Sequence, residues 1–501
     1  MKIIFKLLLT AVVAAASTQC TTGFDEYNTN HNEPEYGNIS PINMLQALLA
    51  NTADAMVYRT WSLNGELIQY TVSGTSNNSY HRFVIPNTAT ASSWREFSKC
   101  TSNADEMERL AAKAGDANCE AIAITLKALN LSNLTDCFGD IPYSEAFGNI
   151  NGKNNNQPVF DTQRTVYEGL LSSLERANTL YDPAQAITSS KDLLYAGDIT
   201  KWQKFTNSLY LRLLMRLSNR DTELGISEKI AKVFANPTKY PVFAANEDNA
   251  TLYYDEVEPF VNYFGSYAST SFTSARKICA TIINMMSSVG DPRISIYFVQ
   301  GGESWKGRES GQPVQETESS GIAMLNRANL GSFASPYSFM KYDEVLFIYA
   351  EAAKRGWIAG GDIAAEALYR EAVTASIRFW NSIDTNKTVI TDKTISNFLA
   401  KVPYNNTLEQ ILNQKYVALF WTGYEAWHEY RRTGYPALVI GKATSNDHIL
   451  PTRFQYPDNT ASVNIANYRA QVERMHTLYN GGDDMKTPVW WSKRAVEMGV
   501  K

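Results

Sequence analysis

The sequence predicts a mostly α-helical protein, about four antiparallel helix pairs supporting an irregular loop-rich region with few short strands. Three observations carry this. Apolar residues recur at three-and-four spacing through most of the chain, short Gly-containing turns separate adjacent helical segments, and the remaining stretches are rich in Asn, Gly, Ser, Pro and Tyr. With 44% hydrophobic and 19% charged residues, the 501-residue chain has the composition of a globular protein, which excludes disorder and fibrous classes.

Taken in order, residues 1–19 read as a signal peptide, with Lys2 and Lys6 as its basic region and an apolar run too short to span a bilayer. Cys20 stands where a lipidated N-terminal cysteine would stand, although Ser17-Thr18-Gln19 departs from the usual lipobox. Residues 20–40 form a polar, flexible tether. Ser40-Pro41 opens a first helix over about 41–59, with Leu45, Leu48, Leu49 and Met56 on one face. Residues 60–91 lose that period and are expected to be loop with short strands, bearing Trp61, Tyr70 and Tyr80. Trp94, Phe97, Ala104, Met107 and Ala111 mark a long second helix, which pairs around Gly115 with a third carrying Ile122, Leu126 and Leu129.

The arrangement recurs in Val166, Leu170, Leu174 and Ala177, followed by Trp202, Phe205, Leu209 and Leu213. It recurs again in residues 344–357, the turn Gly360-Gly361-Asp362, and residues 364–380 with Leu368, Ala372 and Ile377. Residues 408–421 supply one more helix, with the segment after Gly423 as its candidate partner. Small Ala at close contacts and Tyr knobs make these pairs tetratricopeptide-like. Residues 41–501 therefore read as a single domain, with functional insertions around 60–91, 236–275, 294–340 and 433–501.

Catalytic signatures are missing: there is no G-x-S-x-G, no phosphate-binding glycine loop, and His428-Glu429 lacks a second His four residues on. The five histidines read as surface or interface residues. The net charge of −5, without a basic run, excludes nucleic acid as a partner. Cys100, Cys119, Cys137 and Cys279 show no zinc spacing and read as buried free thiols, a disulfide among the first three remaining open. Asn480-Gly481-Gly482-Asp483-Asp484 offers oxygen atoms to a structural calcium ion, but it lacks the full loop spacing and reads as a solvated turn. No other cofactor is expected.

Six ordered stretches carry a family resemblance: Phe138-Gly139-Asp140-Ile141-Pro142-Tyr143, residues 202–212 (WQKFTNSLYLR), Asp291-Pro292-Arg293, residues 344–356 (EVLFIYAEAAKRG), residues 414–436 (QKYVALFWTGYEAWHEYRRTGYP), and Arg453-Phe454-Gln455-Tyr456-Pro457 with Trp490-Trp491. Across 24–491 the chain resembles the SusD/RagB-type nutrient-binding outer-membrane lipoproteins of the Bacteroidetes, in the SusD-like branch. The resemblance implies a surface-exposed lipoprotein of the outer membrane, a TonB-dependent SusC-like transporter as partner, and a captured glycan, with a peptide or glycopeptide as the alternative ligand. It implies binding without catalysis, a glycoside hydrolase being the remaining alternative. Within the motifs, Gly139, Asp140, Pro142 and Tyr143 read as a structural corner, and Arg431 and Arg432 with Glu425 as ion pairs bracing a helix surface. Ligand contacts are expected from loop aromatics, because a Tyr or Trp ring stacks on the C–H face of a sugar: Tyr70, Tyr80, Tyr253, Tyr254, Tyr263, Tyr267 and Trp305.

Overall fold

The computed structural model describes residues 39–74, 80–146, 156–254, 256–313 and 320–500. The signal peptide, Cys20 and nearly all of the 20–40 tether lie outside these.

Helix α1 (Ile42–Arg59) buries Leu45, Leu48, Leu49 and Met56, as its periodicity requires. It packs on α2 (Asn87–Ala114), which ends at Gly115 in a left-handed conformation (φ 70°) that glycine adopts without a Cβ penalty. The chain then turns into α3 (Ala117–Phe138), capped by the Asp116 carboxylate accepting from the Cys119 amide at 3.0 Å. α3 is buried on nearly every face, so it forms the centre of the stack against α2, α4 (Gln163–Leu180) and α5 (Ile199–Arg216). Its polar side chains find partners inside, Thr125 meeting Thr206 of α5 at 2.7 Å.

A second group of helices repeats the pattern. α6 (Tyr342–Lys354) pairs with α7 (Gly361–Ser382), and α8 (Leu408–Ala418) packs on both. α8 meets α9 (Glu425–Thr433) through the Lys415–Glu429 ion pair at 2.7 Å. The helix-pair expectation holds in these elements. Between and after the helices, the insertions build two small sheets: β1 (Thr71–Ser73), β3 (Arg276–Ile278), β5 (Gly321–Leu325) and β4 (Phe298–Gly301) form one antiparallel sheet in the order β1-β3-β5-β4, and β2 (Ala250–Leu252) pairs with β6 (Tyr337–Met340). The main hydrophobic core runs from Leu45 to Val500, so the late segments pack into the same core as the first helix.

Three expectations are corrected here. Residues 60–67 are helical, a π-turn Thr60–Asn64 running into Gly65–Leu67, because every one of their side chains is buried and tertiary packing outweighs their weak helix propensity. His81 and His428 are buried, not surface residues; burial first, then neighbouring arginines, lowers the pKa of both, to about 4 for His81 and well below the usual imidazole value for His428. Arg431, Arg432 and Glu425 likewise belong to the interior. Arg432 forks onto Glu351 of α6 at 2.7 and 2.6 Å and onto Glu429 at 3.1 and 2.7 Å. Arg216 of α5 reaches Glu425 at 2.5 Å, and Arg212 grips Glu344 with two bonds of 2.6 Å. Arg431 is stacked on the Trp427 ring with its guanidinium 3.7 Å from the ring centre, and it donates to the Asp136 and Thr452 carbonyls at 2.7 and 2.8 Å. The ordered motifs thus supply opposite halves of buried ion pairs that tie the two helix groups together.

The corner residue Asp140 accepts from the Gln163 amide at 2.7 Å and from Arg474 at 2.9 Å. Cys100, Cys119, Cys137 and Cys279 are free and buried.

Candidate functional site

On α1, Asn51, Asp54, Ala55 and Tyr58 follow i, i+3, i+4, i+7 spacing and so form one stripe beside the apolar face. Ser92, Arg95, Glu96 and Lys99 make the matching stripe on α2. Where the two helices pack, these stripes line a groove of about 380 Å³, and Tyr263 from the insertion after β2 completes its wall. Two helices therefore fix the polar groups, and an irregular segment brings the ring.

The rings of Tyr58 and Tyr263 lie 5.1 Å apart at 51°, and Tyr263 is followed by Tyr267 at 5.6 Å and 41°. Tyr267 meets the Trp61 ring edge-on at 6.3 Å. Behind the half-buried rings of Tyr58, Tyr263 and Tyr267, Trp61 is buried, and Phe264 and Phe272 are fully buried and hold the cluster on the core. Arg59 grips Glu96 with bonds of 3.0 and 2.6 Å while its guanidinium lies 4.9 Å from the Tyr58 ring centre. Burial raises the Asp54 carboxyl to about 7, which makes it a hydrogen-bond donor as well as an acceptor near neutral pH. Burial likewise pushes the Cys100 thiol beneath the groove up to about 11, so it is unreactive there. The groove thus combines flat apolar faces with a donor, an ion-paired carboxylate, the Asn51 amide and the cations Arg95 and Lys99, a combination that can hold a hydroxyl-rich ligand with an apolar face.

Of the seven aromatics expected at the site, the structure brings Tyr263 and Tyr267 together here. Tyr80 is half-buried in a single turn, Tyr80–Arg82, within electrostatic reach of Tyr58 and Arg59. Tyr70 is a core ring, 1% exposed, stacked on Tyr416 at 4.5 Å and donating to the Tyr416 carbonyl; the segment expected to be loop is packed there. Tyr254 is also turned inward, whereas its neighbour Tyr253 is 60% exposed and lines a different groove. Trp305 is partly buried against the core and lines neither groove. Tyr58, Asp54, Asn51 and Glu96 were not among the expected residues; the signal that marks them is a second, polar helical stripe ending in a tyrosine.

Residues 31–457 match the model of a SusD-like family described as starch-binding and associating with the outer membrane. The chain belongs to this SusD-like family. Similar solved structures agree in fold: a chitin-binding protein with TM-score 0.77 at 24% identity, covering 90% of this chain and 99% of that one; a SusD homologue from Bacteroides fragilis with TM-score 0.76 at 24% identity, covering 90% and 100%; and a chitin-binding SusD homologue from Flavobacterium johnsoniae with TM-score 0.73 at 23% identity, covering 90% and 98%. No curated protein sequence matches significantly.

In this SusD-like chain, no helix among the described residues is long and apolar enough to cross a membrane. Nor do the described residues hold a group of three or more His, Cys, Asp or Glu suited to a metal ion. In the turn around Gly481, Asp483 accepts from Arg453 at 2.8 Å and from the Tyr456 amide at 3.0 Å, and Asp484 accepts from the Lys486 and Thr487 amides at 2.7 and 2.8 Å. These carboxylates are engaged in shaping the turn.

Proposed function

We propose that this SusD-like protein is a glycan-binding lipoprotein of the outer-membrane surface, which captures saccharide in the Tyr58–Tyr263 groove and delivers it to a TonB-dependent SusC-like transporter. The observation that carries the reading is the joining of the paired tyrosine rings to Asp54 and the Arg59–Glu96 pair in one groove. Rings take the C–H face of a sugar, and the polar stripe takes its hydroxyls. Relatives named as chitin-binding, and the family's description as starch-binding, support a neutral polysaccharide as the source of that sugar.

In this reading residues 1–19 are removed, Cys20 carries the lipid, 20–40 is the tether, and 41–501 acts as one binding unit. Binding needs no cleavage. Glu96 is neutralised by Arg59, which makes it a poor nucleophile beside Asp54 and favours capture over glycoside hydrolysis. Incubation of the purified protein with an immobilised glycan panel and a peptide pool tests this. Retention of unshortened glycan supports the proposal; capture of peptides alone, or release of shortened sugars, overturns it.

A further inference from the structure

A second groove, of about 440 Å³, opens beside the chain segment that leaves β2, and it shares no lining residue with the first. Consecutive tyrosines separate there. Tyr254 turns into the core, where burial and then the charge of Asp54 raise its phenol pKa, so it lies on the Asp54 side. Tyr253 turns out, 60% exposed, and presents its ring to the second groove.

The opposite wall comes from the ends of α6 and α7. Phe379 supplies an apolar surface, 4% exposed, and Tyr342 donates its hydroxyl to Glu371, which fixes that carboxylate while leaving it lone pairs to accept with. Arg378 pairs with Asp392 at 2.9 Å, but with side chains 59% and 85% exposed this is a weak pair whose remaining N–H groups are available. Asn246 donates to the Ala375 carbonyl at 3.0 Å, and its own amide oxygen is buried without a donor. An exposed flat ring and an apolar floor stand beside two carboxylates, Glu371 and Glu247, and one guanidinium, polar groups that both accept and donate and carry a slight net negative charge. That chemistry matches an uncharged sugar unit, whose hydroxyls both donate and accept, and does not match a polyanion. The size falls in the ~300–1,000 Å³ range of small-molecule sites.

We propose that the Tyr253 groove is a second saccharide-binding site, independent of the Tyr58–Tyr263 groove, so that one molecule holds a polysaccharide at two places. The inference rests on the reading that the ligand is a saccharide. Two weak sites on one molecule, where a long chain reaches both at once, would retain a polymer far better than a short oligomer.

Calorimetric titration of the full mature chain with chito-oligosaccharides and with malto-oligosaccharides tests it. The expected result is two binding events, of which Tyr253→Ala and, separately, Arg378→Ala weaken one by about tenfold or more while the other is unchanged. Tyr253→Phe, which keeps the ring, should bind normally, and the melting temperature of each variant shows that it is folded. A single event insensitive to all three substitutions overturns the inference and leaves the first groove standing. A single event lost in Tyr253→Ala but kept in Tyr58→Ala/Tyr263→Ala supports this groove and overturns the first. No binding of either sugar series overturns both.

Discussion

Tyr58 and Tyr263 come from segments two hundred residues apart, yet their rings meet at 5.1 Å, one from a helix beside the core and one from an insertion that lies against it. The meeting turns a polar seam between two helices into a groove with an aromatic wall. It also leaves both rings only half-buried while the residues behind them, Phe264 and Phe272, are fully buried.

Truncating those rings should therefore weaken glycan capture without unfolding the protein. Tyr58→Ala and Tyr263→Ala should each lower affinity about tenfold, whereas Trp202→Ala, which empties a fully buried site on α5, should cost ~3–5 kcal/mol of stability. Thermal melts run beside binding curves check the contrast; a Tyr263 variant that melts as early as the Trp202 variant would place that ring in the core.

Asp54 should give both stability and binding a pH dependence of one sign. Its folded pKa, raised to about 7, lies above the unfolded value near 4, so the neutral form is favoured by folding. Its contribution to stability is complete below about pH 4 and is lost as pH rises through about 7. Covering the groove with ligand is also harder once the carboxyl is charged, so affinity should fall above about pH 7. Asp54→Asn should flatten both profiles, as urea unfolding and titrations at about pH 5 and about pH 8 would show.

The Glu351–Arg432 pair should respond in the opposite direction. Burial alone would raise the Glu351 carboxyl, but Arg432 holds it near 2, so its contribution is present above the unfolded glutamate value and is lost only as pH falls toward about 2. Removing one partner strands the other charge. Arg432→Met should destabilise by ~3–5 kcal/mol, and Arg432→Lys should rescue poorly because a single ammonium cannot fork onto Glu351 and Glu429 together. Denaturant midpoints of the two variants give the comparison.

The anchor has its own test. If the lipid is carried by Cys20, Cys20→Ala should move the protein from the membrane to the soluble fraction, and mass spectrometry of the mature wild-type N-terminus should find a lipidated cysteine. A free N-terminus beyond residue 20 would contradict the anchor.

Much of the scaffold was legible because its helices carry apolar residues at helical spacing and most have a local boundary signal: Gly115 and Gly139 end α2 and α3, Gly360 precedes α7, and Asp116, Thr162 and Asp198 cap α3, α4 and α5. Within 60–91 the short strand Thr71–Ser73 agrees with the reading, but the helical stretch 60–67 was not legible. Its Thr, Ser, Asn and Gly favour loops locally, but burial of every residue from Thr60 to Leu67 decides in favour of helix. The buried charges failed for a related reason: Arg432 alone in sequence looks like a surface residue, and only the fold brings Glu351 to it from 81 positions away. At the site, Tyr263 and Tyr267 were legible as aromatics in a polar insertion. Tyr58 and Asp54 were not, since a polar helical stripe is ordinarily a solvated face, and what makes it a groove is a second stripe on another helix. Tyr70 sat in the same type of sequence as Tyr263 and went to the core.

The central claim is capture of sugar by the Tyr58–Tyr263 groove, and calorimetric titration of wild type and Tyr58→Ala/Tyr263→Ala against the best glycan of the panel tests it most directly. The account predicts that wild type binds with release of heat, and that the double variant, folded by its melting curve, loses the groove's binding event. A double variant that binds every glycan as wild type does would contradict it.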